Sequence, residues 1–327
     1  MSFQDYAHES PCPHKGSASL TAQAPPRPLR AVEHIRRMHG GSQSHLMRCS
    51  DGNYYVVKFQ NNPQHRRILV NELLGTQLAT LLCLPTTLVA IIEVSDELIR
   101  LTPSLRIETQ WTHIPCEPGL QFGSRYPGDP HHLTVLDLLP DNHVLTARNL
   151  SDFLGMLVFD SWTCNTDGRQ VIYGRPDIGS PYQAWMIDQG FCFNSGEWNF
   201  PDSPRRSLHP RYAVYRQVRG IESFEPWLAK LECEIGVQVL LKIAETIPQE
   251  WYEFDSESLR RLLEQLDSRR CKVRELLFLS RRFSPHVFPN WAEKNETKGE
   301  NNHALPNYSD VVALSHNDHH HVRSRPA

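Results

Sequence analysis

No stretch of this chain comes near the ~20 consecutive apolar residues that a membrane helix requires, so a helical membrane protein is excluded. The opening MSFQDYAHESPCPHKG lacks a basic-then-apolar leader pattern, and the expectation is a soluble, cytoplasmic protein. Charge of one sign is also missing. With 34 basic and 37 acidic side chains the formal net charge is −3, which gives no field for nucleic acid or an anionic membrane. None of the eight cysteines (Cys12, Cys49, Cys83, Cys116, Cys164, Cys192, Cys233, Cys271) forms a Cys-x-x-Cys pair, which argues against a zinc ribbon or redox motif. Each is read as a free, buried thiol. A His-Glu-x-x-His pattern is absent despite 17 histidines, which leaves a metal hydrolase unsupported. His131-His132 stand in a Pro-rich loop, and His319, His320 and His321 in a polar tail. There is no internal repeat.

Apolar residues are sparse, at 39%, and prolines number 24. Both biases concentrate at the ends, so the middle can still build an ordinary core. Residues 1–29 are rich in Pro, Ser, Ala and Gln and read as a disordered tail. A second such tail is expected over 286–327, with the polar bias plain from Glu293 onward.

What lies between changes character twice. From Ala31 the chain looks strand-rich. HLMRC and NYYVVKF read as strands joined at Asp51-Gly52, a dipeptide suited to the positive φ of a tight hairpin. RRILVNELLGTQLATLLCLP follows, with Leu69, Leu73, Leu74, Leu78, Leu81 and Leu82 at helical spacing and Pro85 as the stop. TTLVAIIEV and ELIRL read as two further strands, and the stretch to about Pro130 as loop. Beyond it LSDFLGMLVFDSWTCN fits a helix. RQVIYGR and QAWMIDQGFCF then read as a strand pair around GRPDIGSP, and two or three helices close the fold. The last of them runs through Leu259, Leu262, Leu263, Leu266, Val273, Leu276 and Leu277, with Asp255 as its cap. The expectation is an α+β, two-lobed fold of protein-kinase type. A small lobe at 30–107 carries an antiparallel sheet and a helix; a larger, mainly helical lobe spans 108–285.

Phosphoryl transfer needs cations on the phosphates, carboxylates for the metal ions, and a base that orients the attacking hydroxyl. Four short segments offer them in order. His39-Gly40-Gly41-Ser42-Gln43-Ser44 opens a strand with glycines that permit close approach of a phosphate, though a plain loop has the same composition. Lys58 sits in the apolar strand YYVVKF, where a buried ammonium needs a partner. Glu72, fourteen residues on in the helix, is the natural one, unless Lys58 is an edge residue facing water. FDSWTCNTDGRQ crowds Asp160, Asn165, Asp167 and Arg169 at a helix end, a pattern that a polar helix cap also produces. Asp188 ends the apolar run Ala184–Ile187 and is followed two residues later by Gly190. It lies twenty-one residues after Asp167 across a hairpin, so the two carboxylates can converge on one cation. Arg125, in FGSRYPG, is a further candidate for phosphate or substrate, since its planar fork suits that geometry.

These segments carry a family resemblance. GGSQSHLM resembles the phosphate loop of HipA-like kinases, and WTCNTDGRQ and MIDQGFCFN resemble the catalytic loop and metal-binding strand of a bacterial branch of that family. FGSRYPG, DLLP, SGEW and IPQEWY are similar to the same branch, over about Ala31 to Leu279. The resemblance implies an ATP- and Mg²⁺-dependent kinase acting on Ser or Thr of a protein. By the same resemblance Gly41, Ser42 and Gln43 would cover the phosphates, Lys58 would bind them and Glu72 would orient Lys58. Asp167 would be the catalytic carboxylate, Asp188 the Mg²⁺ ligand, and Asn165 a support for the loop or a metal. One departure stands out: five residues after Asp167, where the broader group places a metal-ligating Asn, this chain has Ile172, so either Asn165 or Gln170 substitutes, only one Mg²⁺ binds firmly, or the activity is weak. A pseudokinase that binds nucleotide without turnover, or a kinase of small molecules, are the alternatives.

Overall fold

The computed structural model describes residues 27–131, 135–175, 177, 179–203 and 205–292. The expectations for most of the two tails, for Cys12, His132 and for His319–His321 lie outside those residues. The described residues to Trp291 form one compact unit.

The N-terminal part is a closed five-stranded barrel in the order β1-β2-β3-β7-β4. Its strands are β1 (Leu29–Arg37), β2 (His45–Cys49), β3 (Tyr54–Lys58), β4 (Val89–Val94) and β7 (Gly119–Arg125). β1 closes the ring by a short parallel pairing of Leu29 with Ile92 and Arg30 with Glu93. The β2–β3 hairpin turns at Asp51-Gly52, with Gly52 at φ +80°, while the Asp51 carboxylate accepts from the Asn53 backbone and the Tyr55 hydroxyl. Strand alternation then sorts the side chains: Met47, Tyr55, Val57 and Phe59 fill the barrel with Ile92, Val94 and Leu105. Phe122, whose Cα pairs with that of Lys58, belongs instead to the core shared with the helical lobe.

Helix α1 (Ile68–Leu81) is buried on almost every side. A helix that is apolar all round belongs between layers rather than on a surface, and α1 lies between the barrel and the helical lobe. Two segments depart from the sequence reading. ELIRL is helix α2 (Asp96–Leu101), not a strand: Ser95 caps it by accepting from the Leu98 amide, and Asp96 and Glu97 occupy its first turn. The supposed loop to Pro130 holds a hairpin of β5 (Arg106–Glu108) and β6 (His113–Pro115), and then β7, which pairs with both β3 and β4. The barrel therefore extends past the expected lobe boundary at 107. In β7, Gly123 lets Ile92 approach to where a Cβ would stand, at 2.5 Å, which is why its glycines do not signal a loop.

The helical lobe contains α3 (Asp141–Val144), α4 (Asp152–Thr163), α5 (Glu225–Glu234), α6 (Val237–Ala244), α7 (Ser256–Arg269) and α8 (Val273–Phe283). Asp255 caps α7 by accepting from the Ser258 amide, and a 3-10 turn at Arg270–Lys272 divides the anticipated last helix in two. Strands β8 (Gln170–Gly174) and β9 (Gln183–Ile187) form the expected hairpin, in register from Gln170 opposite Ile187 to Gly174 opposite Gln183. Packing does not stop at 285: Val287, Phe288 and Trp291 are buried in the main core, so the fold continues into what composition marked as tail. Of the thiols, Cys49, Cys116, Cys164 and Cys192 are buried and free, but Cys233 and Cys271 are exposed.

Candidate active site

Alternation along β3 puts Lys58 on the face opposite the barrel core, toward the helical lobe. It is 7% exposed, and its ammonium donates to both Glu72 on α1 and Asp188 Oδ1, the latter at 2.9 Å. One cation thus stands between two carboxylates. Burial pulls the Lys58 pKa down, but the two anions outweigh it and the net shift is upward. Burial also drives Asp188 up, yet the neighbouring Lys58 charge prevails and holds it below its ordinary value. Glu72 carries the opposite burden: burial and the nearby Asp188 charge raise it despite Lys58.

Glu72 does more than orient Lys58. Its two oxygens accept from the backbone amides of Gln189 and Gly190, each at 3.0 Å, which clamps the chain just after Asp188. Gly190 is obligatory there, because an added Cβ would lie 2.7 Å from Ile68 Cγ1 and 3.1 Å from Glu72 Oε1. Asp188 has φ +59°, a left-handed conformation that Asp tolerates better than most side chains. The turn keeps one fifth of its side chain open to solvent.

The second carboxylate segment follows α4. Cys164 ends that helix in the left-handed conformation. The loop is then laced to the segment after Asp188: Thr163 and Cys164 carbonyls accept from Phe193 and Asn194, and the Thr166 amide donates to the Phe191 carbonyl at 3.1 Å. Asp167 is exposed at the tip, with the Gly168 amide and the Gln170 side chain donating to its two oxygens at 2.8 and 3.1 Å. Since Gln170 pairs with Ile187, Asp167 and Asp188 leave the open end of the same two-stranded ladder.

Asn165 is 2% exposed, and both ends of its amide are engaged: it donates to Asp160 and accepts from the Asp167 backbone. Of the two roles expected for it, this geometry serves loop support; ligating a metal would require the amide to turn away. Ile172 is buried in β8 opposite Trp185, with no capacity to ligate. Gln170, the other suggested substitute, spends its amide on Asp167.

The glycine loop lies beside the α1 entrance. Gly40 and Gly41 are exposed, and an added Cβ on Gly41 would meet Gln64 Nε2 at 3.2 Å. Ser42 is buried, its carbonyl held by Asn62. Gln43 has its side chain fully engaged within the barrel lobe: the amide accepts from Arg37 and both accepts from and donates to the Glu108 backbone. Arg125 is not brought to the carboxylates. Its Cα partner is Tyr55, three residues from Lys58 or about 10 Å along β3, and it donates to Asn53 at the hairpin end.

Two features escaped the sequence reading. The first is a wholly buried ion pair of Asp160 and Arg169. Arg169 also donates to the Ile187 carbonyl at 3.1 Å and to Gln189 Oε1 at 2.8 Å, so one guanidinium ties α4, the Asp167 loop and the end of β9 together. The second is Asn71. Completely buried, it donates to the carbonyls of Gly190, Cys192 and Ser195 at 2.8–2.9 Å and accepts from the Trp198 indole. An Asn-Glu pair inside an otherwise apolar helix was the available signal, since buried polar groups must find partners.

Among the described residues no three His, Cys, Asp or Glu side chains gather into a metal nest, and no helix is long and apolar enough to cross a membrane. Residues 31–193 match a family model described as HipA-like kinase. No curated protein matches the chain. Similar solved structures include a Helicobacter pylori proinflammatory kinase, CtkA, at 14% identity and a TM-score of 0.47, covering 75% of this chain and 94% of that one. The Golgi casein kinase with Mn/ADP bound is 10% identical with a TM-score of 0.44, covering 78% and 73%. At such scores these likenesses are remote, and the site stands on its own geometry.

Proposed function

This chain carries a HipA-like kinase domain, and from that premise we propose that it transfers the terminal phosphoryl group of ATP to a serine or threonine hydroxyl of a protein. The observation that carries the reading is Lys58 held between Glu72 and Asp188 while the Asp167 loop is bonded to the same Asp188 segment. Lys58 would grip the phosphates, and the exposed glycines of the loop would close over them. Asp188 fits a divalent cation: it is anionic, partly open and fixed in direction, and Mg²⁺ is usually held by one or two carboxylates with substrate phosphates completing its shell. Bound there, the cation would neutralise the charge that develops on the phosphates. Asp167 would take the proton from the acceptor hydroxyl. That oxygen then bonds to the terminal phosphorus, the bond to the bridging oxygen breaks, and ADP leaves with the electron pair.

Asp167 is exposed and makes its bonds within its own loop, so Asp167→Ala should fold normally. With labelled ATP and Mg²⁺, we expect wild-type protein to transfer label to itself or to an added protein, and the variant to lose about 10³-fold in rate. Transfer that survives both Asp167→Ala and Asp188→Ala rejects the mechanism. Ile172 motivates a second reading, a nucleotide-binding pseudokinase. Thermal stabilisation by ATP with no turnover would favour it.

A further inference from the structure

A trough runs along β8 to the foot of the Asp167 loop. One wall is Asp137 and Leu138, in a segment aligned antiparallel to β8 by the paired backbone bonds of Leu136 and Tyr173. The other wall is His209–Arg211. There Arg211 is fixed by the Leu139 carbonyl and Asp141, and His209, whose burial lowers its pKa to about 4, stays neutral and accepts from the Arg211 amide. The floor is Val171, Tyr173 and Ile187, and the inner end is Gln170, whose amide holds Asp167. The cavity measures about 230 Å³.

Three observations identify what it takes. First, its inner end reaches the catalytic carboxylate through a single side chain, so an occupant lies within reach of Asp167. Second, its volume falls below the ~300–1,000 Å³ of pockets that enclose a whole small ligand. It suits one side chain of something larger. Third, its mouth carries Leu138, 73% exposed, above an apolar floor, which is a surface that gains by being covered. Of the fixed charges, Arg169 is neutralised by Asp160 and Arg211 faces Asp141, which leaves the Asp137 carboxylate in the wall and nothing that favours an acidic neighbour. From Tyr173 to Gln170 the floor spans about 10 Å, the length of three extended residues.

We propose that this trough is the acceptor subsite: it seats an extended peptide whose Ser or Thr hydroxyl reaches Asp167 and whose adjacent residue is aliphatic, packed on Leu138, Val171 and Ile187. The assignment rests on the kinase reading above. The test uses the full chain with Mg²⁺ and two fluorescent heptapeptides, one with a central serine between leucines and one with aspartates in place of the leucines. Binding is followed by anisotropy and transfer by labelled ATP. Leu138→Asp is the variant, because Leu138 is solvent-exposed and outside the catalytic groups. We expect the leucine peptide to bind and to be phosphorylated in preference to the aspartate one. We expect Leu138→Asp to raise its KM and Kd about tenfold while kcat and acceptor-free ATP hydrolysis stay unchanged. Equal use of both peptides, an unmoved KM in Leu138→Asp, or transfer only to a small polyol such as glycerol would overturn the subsite. Leucine-peptide binding that is weakened by Leu138→Asp but accompanied by no transfer would keep the subsite and remove the kinase reading instead.

Discussion

At the scale of single residues, the site is a matter of unequal numbers: one ammonium serves two carboxylates. Removing one member leaves the others stranded. Lys58→Met should abolish transfer and, by leaving Glu72 and Asp188 buried without their cation, cost about 3 kcal/mol. The double variant Lys58→Met/Asp188→Asn, which leaves the Glu72 clamp on the Gln189 and Gly190 amides intact, should regain part of the melting temperature and none of the activity; if the single variant melts like wild type, the ion pair does not matter to the fold. Sequence alone made Lys58, Glu72 and Asp188 conspicuous because each was a charge in an apolar run, and such charges need partners. Arg169 was passed over as a member of a polar turn. Its burial depends on Asp160 nine residues back, and nothing local reveals that the helix end turns inward. The side-chain placement of Gln43 was hidden for a related reason: a glutamine after glycines has the composition of a phosphate loop, but where its amide points is decided by Glu108, sixty-five residues away.

Among the elements, the local ones were legible. The β8–β9 hairpin, α4 and α1 announce themselves by periodicity and punctuation over ten to twenty residues. β7 did not, because its alternation is interrupted by Gly123, and the reason for that glycine is Ile92 on a strand thirty residues earlier. ELIRL alternates like a strand, and the cap at Ser95 decides for helix. A close contact beside the site is that of α1 with the Asp188 segment, where Gly190 admits Ile68. Gly190→Ala should therefore destabilise the protein by about 1–3 kcal/mol through overpacking. Adding Ile68→Ala, which removes the crowding Cγ1 and Cδ1, should make the pair less destabilised than the sum of the two single changes by about 1 kcal/mol. Simple additivity in denaturant unfolding would show that the contact is not the cause.

For the whole molecule, composition misplaced the ends of the fold more than its interior. Proline and polar residues near 285 look like a tail, yet Phe288 and Trp291 stack on one another and on Phe224 and Tyr215. A chain ended at 284 should lose more than about 5 kcal/mol relative to one ended at 292, or roughly 15 °C in melting temperature; equal melting would mean these rings add nothing. The larger lesson of the architecture concerns how such a protein can be switched off. Asn71, Glu72 and His65 all grip the residues after Asp188, and Arg67 lies over the Trp198 ring. The helix and the Asp188 turn are in effect one rigid part. Swinging either out alone would orphan half a dozen buried donors and acceptors, so control of this protein should be all-or-none, with no half-closed intermediate for an inhibitor to trap.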